Sequence, residues 1–366
     1  MRILHISSAK TFGGGERHLV DLCRGLHDRG HEIFIALRPT NQWQDRLTFV
    51  RPEDFLHVSI RNSFGMFSAK RIGRFLTSNK IDIVHAHVAR DYLAAGIAAR
   101  ISRETRFVLT RHVMPTLKPY LRFALKNLDA AIGVSPPVAN QLERVFPRES
   151  VRVIPNGLDV VDDVRTSELG MEFRRLHNIP ADVPLVGTIG ELKPAKGQRD
   201  LVLAANEIAK TNAECRFVVA GLDNTSDQRF RRELRRLVKV FGLEDRFLWL
   251  DWLDDTAPFF AAVDVFVSPS HSESFGLAIL EAMARGKAVV ATRTDGAQEL
   301  LEGVGCLTGV KAPVELAAAI SGLLANPDAR AKMGLSLKEI AASQFSVELM
   351  VAATESLYSE ITADRK

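Results

Sequence analysis

Apolar runs of strand length alternate with helix-like patterns along the whole 366-residue chain. This alternation constrains the fold more than any other feature, because strands joined by crossover helices form parallel sheets with helices on both faces. The strand candidates of the first half are Ile3–Ile6, Ile33–Leu37, Ile83–Ala86, Phe107–Leu109 and Ala131–Val134. Those of the second half are Leu185–Ile189, Arg216–Ala220, Phe247–Leu250, Val263–Val267 and Ala288–Ala291. We therefore predict an α/β fold with two doubly wound domains.

The length of the chain also favours two domains, because single cores rarely extend beyond about 250–300 residues. Glycine, aspartate and other polar residues interrupt the periodicity between Asn156 and Ser167, as expected of a domain boundary. We place the end of the first domain at residue 157. In the first domain, a helix is predicted from Glu16 to Arg29, with Gly30 at its carboxyl end.

Composition indicates an ordinary globular protein, with 46% hydrophobic and 25% charged residues. Its three cysteines, Cys23, Cys215 and Cys306, are too far apart for a thiolate metal site and too few for a disulfide framework. The amino-terminal residues enter a strand pattern at once, and no apolar stretch reaches the roughly 18 residues of a spanning helix. These features predict a cytoplasmic protein, either soluble or peripheral to a membrane.

Charge is distributed unevenly along the chain. Residues 1–157 contain 24 Lys and Arg against 13 Asp and Glu, a net charge of +11, whereas the remaining residues have a net charge of −7. A basic half suits an anionic partner. Residues 111–126 mix cations with aromatic and apolar side chains, as expected either of peripheral contact with the anionic inner face of the plasma membrane or of a solvated helix face. Nucleic-acid binding is disfavoured, because the basic residues are scattered and no nucleic-acid motif accompanies them.

The segment most informative about chemistry is residues 268–286, which reads SPSHSESFGLAILEAMARG. It follows an apolar strand and opens into a helix that ends at Gly286. Ligands of parallel sheets bind at the carboxyl ends of the strands. The first turn of a helix has unpaired N–H groups and the positive end of the helix dipole. The backbone at Phe275, Gly276 and Leu277 is therefore predicted to bind an anion.

Two glutamates frame this helix start. From Gly276 to Glu281 the helix axis rises roughly 7–8 Å, which is about the distance from a diphosphate to a ribose. We therefore predict that Glu281 accepts hydrogen bonds from ribose hydroxyls. Glu273 is predicted to lie beside the group that is attached to the outer phosphate. Together these features indicate a nucleotide-sugar site.

The Glu273-x7-Glu281 pair, in its Pro-Ser-x-x-Glu-x-Phe-Gly context, resembles the retaining group-1 (GT4) glycosyltransferases of the GT-B fold. Three further segments match the family in order and location: residues 12–16 (FGGGE), 153–159 (VIPNGLD) and 190–197 (GELKPAKG). The resemblance covers nearly the whole chain. It implies two Rossmann-like domains that face a central cleft. Residues 1–157, with a final helix at about 347–366, would bind the acceptor, and residues 158–346 the nucleotide sugar.

The resemblance places Gly14 and Gly15 beside the donor diphosphate and the acceptor cleft. A dinucleotide-binding alternative is disfavoured, because the loop lacks the third glycine of that fingerprint and the second strand candidate leads to Arg38 instead of a ribose-binding acid. An NAD-dependent enzyme is therefore not expected. The resemblance also places Gly221 near the nucleobase.

The segment at 190–197 departs from the family at one position. The family usually has an arginine directly after the first glycine and a lysine five residues later, whereas this chain has Glu191 and Lys196. Lys196 is predicted to bind the diphosphate. Glu191 would repel phosphate unless it turns away or pairs with a cation. Lys193 or Arg17 is predicted to replace the missing positive charge.

Histidines follow two strand candidates of the first domain. The family has a histidine after the strand at 107–110, close to the transferred sugar, so the resemblance makes His112 the predicted catalytic residue. His87 is predicted to support it, and His85 is predicted to be structural. The resemblance further implies that the leaving phosphate acts as the base and that the protein mainly positions and stabilises charge. Glu273 is expected to orient sugar hydroxyls, although a nucleophilic role is the alternative.

These residues predict a retaining glycosyltransferase that transfers a hexose-like unit from a nucleotide diphosphate sugar to a saccharide or glycolipid acceptor of the cell envelope. No cofactor or metal ion is expected, because the chain contains no Asp-x-Asp triplet. One alternative is a nucleotide-sugar 2-epimerase of related fold. A second alternative, motivated by Glu191, is a protein that binds nucleotide sugars without turnover.

Overall fold

The computed structural model describes residues 1–60, 66–114, 117–160 and 165–363, and it divides the chain into two units. Unit 1 comprises Met1–Gly157 and Phe345–Lys366, and unit 2 comprises Leu158–Gln344. The expected final helix begins at Val347 and extends to Ala363. Its expected last residues, 364–366, and residues 161–164 of the predicted boundary lie outside the described residues.

The described residues of unit 1 form a parallel seven-stranded sheet in the order β3-β2-β1-β4-β5-β6-β7. Its strands are β1 (Arg2–Ser7), β2 (Glu32–Leu37), β3 (Phe55–His57), β4 (Ile83–Ala86), β5 (Arg106–Arg111), β6 (Ala130–Gly133) and β7 (Val151–Val153). Its helices are α1 (Gly14–Asp28), α2 (Met66–Ser78), α3 (Tyr92–Ser102), α4 (Leu121–Ala124), α5 (Pro136–Glu143) and α14 (Val347–Ala363).

Successive side chains of each strand point to opposite faces of this sheet, and a separate hydrophobic core lies on each face. In β1, Leu4 and Ile6 belong to the core beneath α2 and α3, whereas Ile3 belongs to the core beneath α1 and α14. Helix α14 packs against α1 at Gly25, where an added Cβ would lie 2.5 Å from a methyl group of Val351. The second core therefore joins the two ends of the chain.

The described residues of unit 2 form a parallel six-stranded sheet in the order β10-β9-β8-β11-β12-β13. Its strands are β8 (Leu185–Ile189), β9 (Arg216–Ala220), β10 (Phe247–Leu250), β11 (Val265–Ser268), β12 (Ala288–Thr292) and β13 (Cys306–Thr308). Its helices are α6 (Thr166–Leu176), α7 (Gln198–Ala209), α8 (Arg229–Val240), α9 (Ala257–Ala262), α10 (Leu277–Ala284), α11 (Asp295–Leu301), α12 (Pro313–Leu324) and α13 (Pro327–Gln344).

Several predicted boundaries were wrong. The sequence pattern missed β3, β7 and β13, because each has only three residues and lies at the edge of a sheet. Helix α1 begins at Gly14, not at Glu16, because Gly13 holds the extended conformation that precedes a helix. Strand β11 begins at Val265, not at Val263, because the Val263 N–H still donates to the Phe259 carbonyl at the end of α9.

Both sheets reverse their strand order beside their first strand, between β1 and β4 in unit 1 and between β8 and β11 in unit 2. Loops that leave neighbouring strands at such a point run in opposite directions and leave a crevice, where doubly wound sheets bind ligands. Among the described helices of both units, we find none with the length and apolarity needed to cross a membrane.

Candidate active site

The reversal point of unit 2 brings together two predicted residues from different loops. Lys196 follows β8 and Glu273 follows β11, and the Lys196 Nζ lies 2.6 Å from the Glu273 Oε2. The side chains are 26% and 17% exposed, so water screens this ion pair only partly. Ser270 donates a hydrogen bond to the same carboxylate oxygen at 3.2 Å. A cation and a carboxylate thus occupy the crevice where the sequence predicts a diphosphate and a sugar.

A close backbone approach holds these two loops together. Gly197 has φ +66°, and an added Cβ would lie only 1.8 Å from the Pro269 carbonyl oxygen. Two hydrogen bonds reinforce the approach: the His271 N–H donates to the Ala195 carbonyl at 2.8 Å, and the His271 Nε2 lies 2.7 Å from Asp200. Only glycine combines the left-handed conformation with this contact. Gly197 therefore fixes the distance between Lys196 and Glu273.

The start of α10 lies where the sequence predicts the anion site. Gly276 precedes the helix with φ +101°, and Leu277 is its first residue. Phe275 is buried, and the Gly296 N–H donates to the Glu273 carbonyl at 3.0 Å, which fixes the loop from the other side. These contacts fix the position of the loop and therefore of the first-turn amides of α10 that follow it.

Glu281 lies in the second turn of α10. Both Leu277 and Glu281 are half-buried, whereas Ile279, Leu280 and Met283 are buried. Residues four apart share one face of a helix, so Glu281 lies on the same partly exposed face as the first turn. This is the arrangement that the ribose assignment requires.

Glu191 is paired with a cation in this structure. Its carboxylate accepts hydrogen bonds from the Lys193 Nζ at 2.5 Å and from the Asn224 amide at 3.1 Å. Burial opposes ionisation, but these two hydrogen bonds, together with the positive charges of Lys193 and Lys196, outweigh it and lower the pKa of Glu191. Lys193 therefore neutralises Glu191 here, and a diphosphate would have to exchange with the carboxylate to bind Lys193.

Gly221 lies at the end of β9, next to the loop that carries Glu191. An added Cβ at Gly221 would lie 1.9 Å from the Gly190 carbonyl oxygen. The segments that follow β8 and β9 therefore lie too close together to leave room for a side chain at Gly221. This places Gly221 at the same edge of the sheet as Lys196, and its place near the nucleobase stays a prediction.

Unit 1 carries five clustered histidines at its own reversal point. The histidine cluster consists of His5, His18, His85, His87 and His112, and its neighbouring rings have centroids 4.1–6.1 Å apart. His5 and His85 are paired in register across β1 and β4. His87 follows β4, His112 follows β5, and His18 lies in α1, which covers this face of the sheet.

His85 is fully hydrogen-bonded. Its Nδ1 lies 2.6 Å from the Tyr358 hydroxyl of α14, and its Nε2 lies 2.7 Å from the Thr110 hydroxyl of β5. The side chain is completely buried. These contacts connect three elements of unit 1, so His85 has the geometry of a structural residue, as the sequence interpretation expects.

The three histidines nearest the glycine-rich loop are less fully bonded. Within the parts of the chain that the structure describes, the ring nitrogens without a hydrogen-bond partner include both of His18, the Nδ1 of His87 and the Nε2 of His112. The His112 ring packs against Gly15, where an added Cβ would lie 3.8 Å from it. Gly15, His87 and His112 are thus brought together. Arg17, also on α1, forms a 3.7 Å ion pair with Asp21.

Burial keeps the histidine cluster neutral. It lowers the pKa of His5 to about 3 and that of His18 to about 4. The pKa values of His85, His87 and His112 are also well below the ordinary value, first because of burial and then because neighbouring histidines would repel a second charge. The Asn156 side chain lies near enough to His18 to offset part of its shift, although the two form no hydrogen bond of ordinary geometry. Each ring therefore offers lone pairs and N–H groups, not positive charge, to a ligand.

A buried carboxyl group lies at the same edge of the sheet. The Asp91 Oδ2 accepts a hydrogen bond from the Ser8 N–H at 2.8 Å, and burial raises the pKa of Asp91 to about 6. Sequence reasoning missed Asp91, His5, His18 and Asn156 as site residues. One signal was available: histidines two apart on a strand, such as His85 and His87, must lie on the same face.

Comparisons with known proteins agree with this geometry. A family model described as glycosyl transferases group 1 matches residues 183–326, and one described as glycosyltransferase family 4 matches residues 12–162. The chain is 26% identical to the N-acetyl-alpha-D-glucosaminyl L-malate synthase of Bacillus anthracis, over 99% of this chain and 97% of that protein. It is 28% identical to the lipopolysaccharide core biosynthesis glycosyltransferase LpsE of Rhizobium meliloti, over 96% and 97%.

Solved structures show the same fold. The crystal structure of Anabaena HepE in complex with UDP and glucose matches with a TM-score of 0.83 and 24% identity, over 98% of this chain and 99% of that one. The two family models together account for most of the chain, one in each unit. The chain therefore belongs to the group 1, family 4 (GT4) glycosyltransferases and has the GT-B fold.

Proposed function

We propose that this glycosyltransferase transfers a hexose-like unit from a nucleotide diphosphate sugar, with retention of configuration, to a saccharide or glycolipid acceptor of the cell envelope. The observation that carries the donor assignment is the reversal point of unit 2. There, Lys196 pairs with Glu273, and the loop that carries Glu273 leads into the first turn of α10. Two kinds of positive group and one carboxylate suit a diphosphate that carries a sugar.

Each residue has a defined role in this proposal. The diphosphate binds the backbone amides of Phe275, Gly276 and Leu277. It also replaces the Glu273 carboxylate as the partner of the Lys196 ammonium. Released from that pair, Glu273 orients the sugar hydroxyls. Glu281 accepts hydrogen bonds from the ribose. Gly14 and Gly15 leave room for the ligand in unit 1, where His112 lies beside the transferred sugar with His87 in support.

In the proposed reaction, the protein acts mainly by stabilising the negative charge of the leaving diphosphate. The bond from the anomeric carbon to the phosphate oxygen breaks, and the acceptor oxygen forms its bond on the same face of the sugar. The departing phosphate takes the acceptor proton, so no side chain needs to act as a strong base. Lys196 and the helix amides stabilise the negative charge that develops on the leaving diphosphate.

The proposed acceptor class rests on relatives and charge. LpsE, which is similar over nearly the whole chain, is described as an enzyme of lipopolysaccharide core biosynthesis. Residues 1–157 have a net charge of +11, which suits an anionic glycolipid. Tyr120 and Phe123 are 45% and 69% exposed, and the nearby Lys118 and Arg122 are also exposed. We propose that this segment contacts the anionic inner face of the plasma membrane.

The first test is nucleotide binding by isothermal calorimetry, without added metal. UDP, GDP, ADP, CMP and dTDP are compared, with UDP first because HepE was solved with it. One nucleotide should bind tightly, and Glu281→Ala should weaken it about 10-fold to 100-fold, since a hydrogen bond to a charged group contributes about 1.5–3 kcal/mol. Glu339→Ala, which removes an exposed carboxylate of α13, is the matched control and should bind normally.

Two results would count against the donor assignment: no nucleotide binding at all, or equal affinity in wild type and Glu281→Ala. With the nucleotide known, transfer is tested with the corresponding sugar donors and lipopolysaccharide core acceptors. The configuration of the new bond is read by NMR.

One observation keeps non-catalytic sugar-nucleotide binding as a second candidate. Glu191 stands where the family usually has an arginine, and it is paired with Lys193. We expect Glu191→Arg to leave transfer unchanged or to lower it, because the present pair belongs to a working site. A large gain in transfer would instead indicate an impaired site. A 2-epimerase, the remaining alternative, would convert the donor without any acceptor.

A further inference from the structure

Three members of the histidine cluster are arranged as metal ligands. His18, His87 and His112 each have one ring nitrogen that lies within 4.8 Å of the corresponding nitrogens of the other two. In a tetrahedral site with metal–nitrogen bonds of about 2.0–2.1 Å, the nitrogens are about 3.3 Å apart. Small rotations of the side chains would close this difference. Imidazole is a preferred ligand of zinc, copper and nickel ions.

The hydrogen bonding of these rings points to a ligand. Across the described ranges, both nitrogens of His18, the Nδ1 of His87 and the Nε2 of His112 lack a hydrogen-bond partner. His18 and His87 are only 3% and 5% exposed. A buried polar group without a partner costs about 1–3 kcal/mol. A bound ion would satisfy one nitrogen of each ring.

A second histidine orients His87 for this role. The His87 Nε2 lies 3.0 Å from the His5 Nδ1, which fixes the ring and leaves its Nδ1 to face a ligand. Metal-bound histidines usually have such a partner on their other nitrogen. A deeper trio of His5, His85 and His87 also lies within 4.8 Å, but both nitrogens of His85 are already used by Tyr358 and Thr110.

The surroundings of His112 provide an entry path for an ion. His112 is only half-buried, and its neighbour Gly15 has no side chain to cover it. An ion could therefore reach the site from solvent, and water could complete its coordination.

We propose that His18, His87 and His112 form a three-histidine site for a divalent transition-metal ion of the zinc class. The predicted sugar transfer does not require this ion. Because His112 is also proposed to lie beside the transferred sugar, a bound ion would exclude the sugar from that position. Only this last consequence rests on the proposed function.

The test uses the full chain without a polyhistidine tag and without any nucleotide. Zn²⁺ binding is measured by equilibrium dialysis with elemental analysis, and Co²⁺ serves as the spectroscopic probe of tetrahedral nitrogen coordination. We expect one Zn²⁺ per chain. His5→Gln should weaken binding roughly 10–100-fold, as loss of an orienting partner does, and His18→Gln or His112→Gln should weaken it further.

The control variants are His57→Gln and His177→Gln, which alter histidines outside the cluster and should leave Zn²⁺ affinity unchanged. His18→Gln breaks no hydrogen bond of the ring within the described residues, so it should fold, which circular dichroism checks. Absence of Zn²⁺ binding would overturn the site. So would wild-type affinity in both His18→Gln and His112→Gln, or a loss confined to His85→Gln.

Discussion

Gly197→Ala is the substitution for which the structure gives the sharpest expectation. An alanine there must adopt φ near +66°, which costs about 1–2 kcal/mol for a residue with a Cβ. Its Cβ would also lie 1.8 Å from the Pro269 carbonyl oxygen, whereas such carbon–oxygen contacts are ordinarily about 3.3 Å or longer. The two loops must therefore separate by about 1.5 Å.

Gly242→Ala is a matched control. Gly242 has φ +65°, almost the same as Gly197, but nothing lies within 4 Å of its added Cβ. Its free energy of unfolding should fall only by the cost of the positive φ, about 1–2 kcal/mol. Forcing backbone apart typically costs a further 1–3 kcal/mol, so Gly197→Ala should lower the free energy of unfolding by about 2–5 kcal/mol in total.

Urea denaturation measures this difference through the fluorescence of Trp249 and Trp252, the tryptophans of unit 2. Because displacement of about 1 Å can cost up to 100-fold in a positioned site, Gly197→Ala should also weaken nucleotide binding at least about 10-fold. Gly242→Ala should bind nucleotide normally. Equal stability and equal nucleotide affinity of the two variants would refute the reasoning that Gly197 fixes the distance between Lys196 and Glu273.

Three further predictions concern the site. Lys196→Ala should lower turnover at least about 10-fold, because the negative charge on the leaving diphosphate then lacks the lysine that stabilises it. Lys210→Ala, which removes a lysine from a surface ion pair, should leave turnover unchanged, and steady-state kinetics compare the two variants. His112→Ala should depress kcat more than donor affinity, and an unchanged kcat would remove its catalytic role. The pKa values of His5 and His18 are lowered to about 3 and about 4 in the folded state, so unfolding takes up protons below the ordinary value of 6.5. The free energy of unfolding should therefore be highest above about pH 6.5 and fall by up to about 1.4 kcal/mol per pH unit per histidine as the pH drops toward 4. Asp91 offsets part of this loss, because its pKa is raised in the folded state and its protonation therefore stabilises the folded state as the pH falls. Urea unfolding at pH 7, 6 and 5, followed by Trp43 fluorescence, checks this, and a flat profile would contradict it.

The sequence alone determined the features that are local in the chain. Strands such as Ile83–Ala86, Leu185–Ile189 and Arg216–Ala220 were predicted with their observed bounds, because buried parallel strands are continuous apolar runs. The local geometry of the candidate donor site was also predictable. Residues 268–286 form one strand–loop–helix unit, so their spacing alone fixes the relation of Gly276 to Glu281.

The tertiary structure alone decided the contacts between distant segments. The ion pair of Lys196 with Glu273 depends on β8 and β11 being neighbours, which sheet order sets and periodicity does not reveal. The histidine cluster draws on β1 and α1 and on the ends of β4 and β5, and apart from the pair His85 and His87 its members are far apart in the sequence. Long-range packing places these side chains on one face, because strand order and helix docking are properties of the whole sheet and not of any segment.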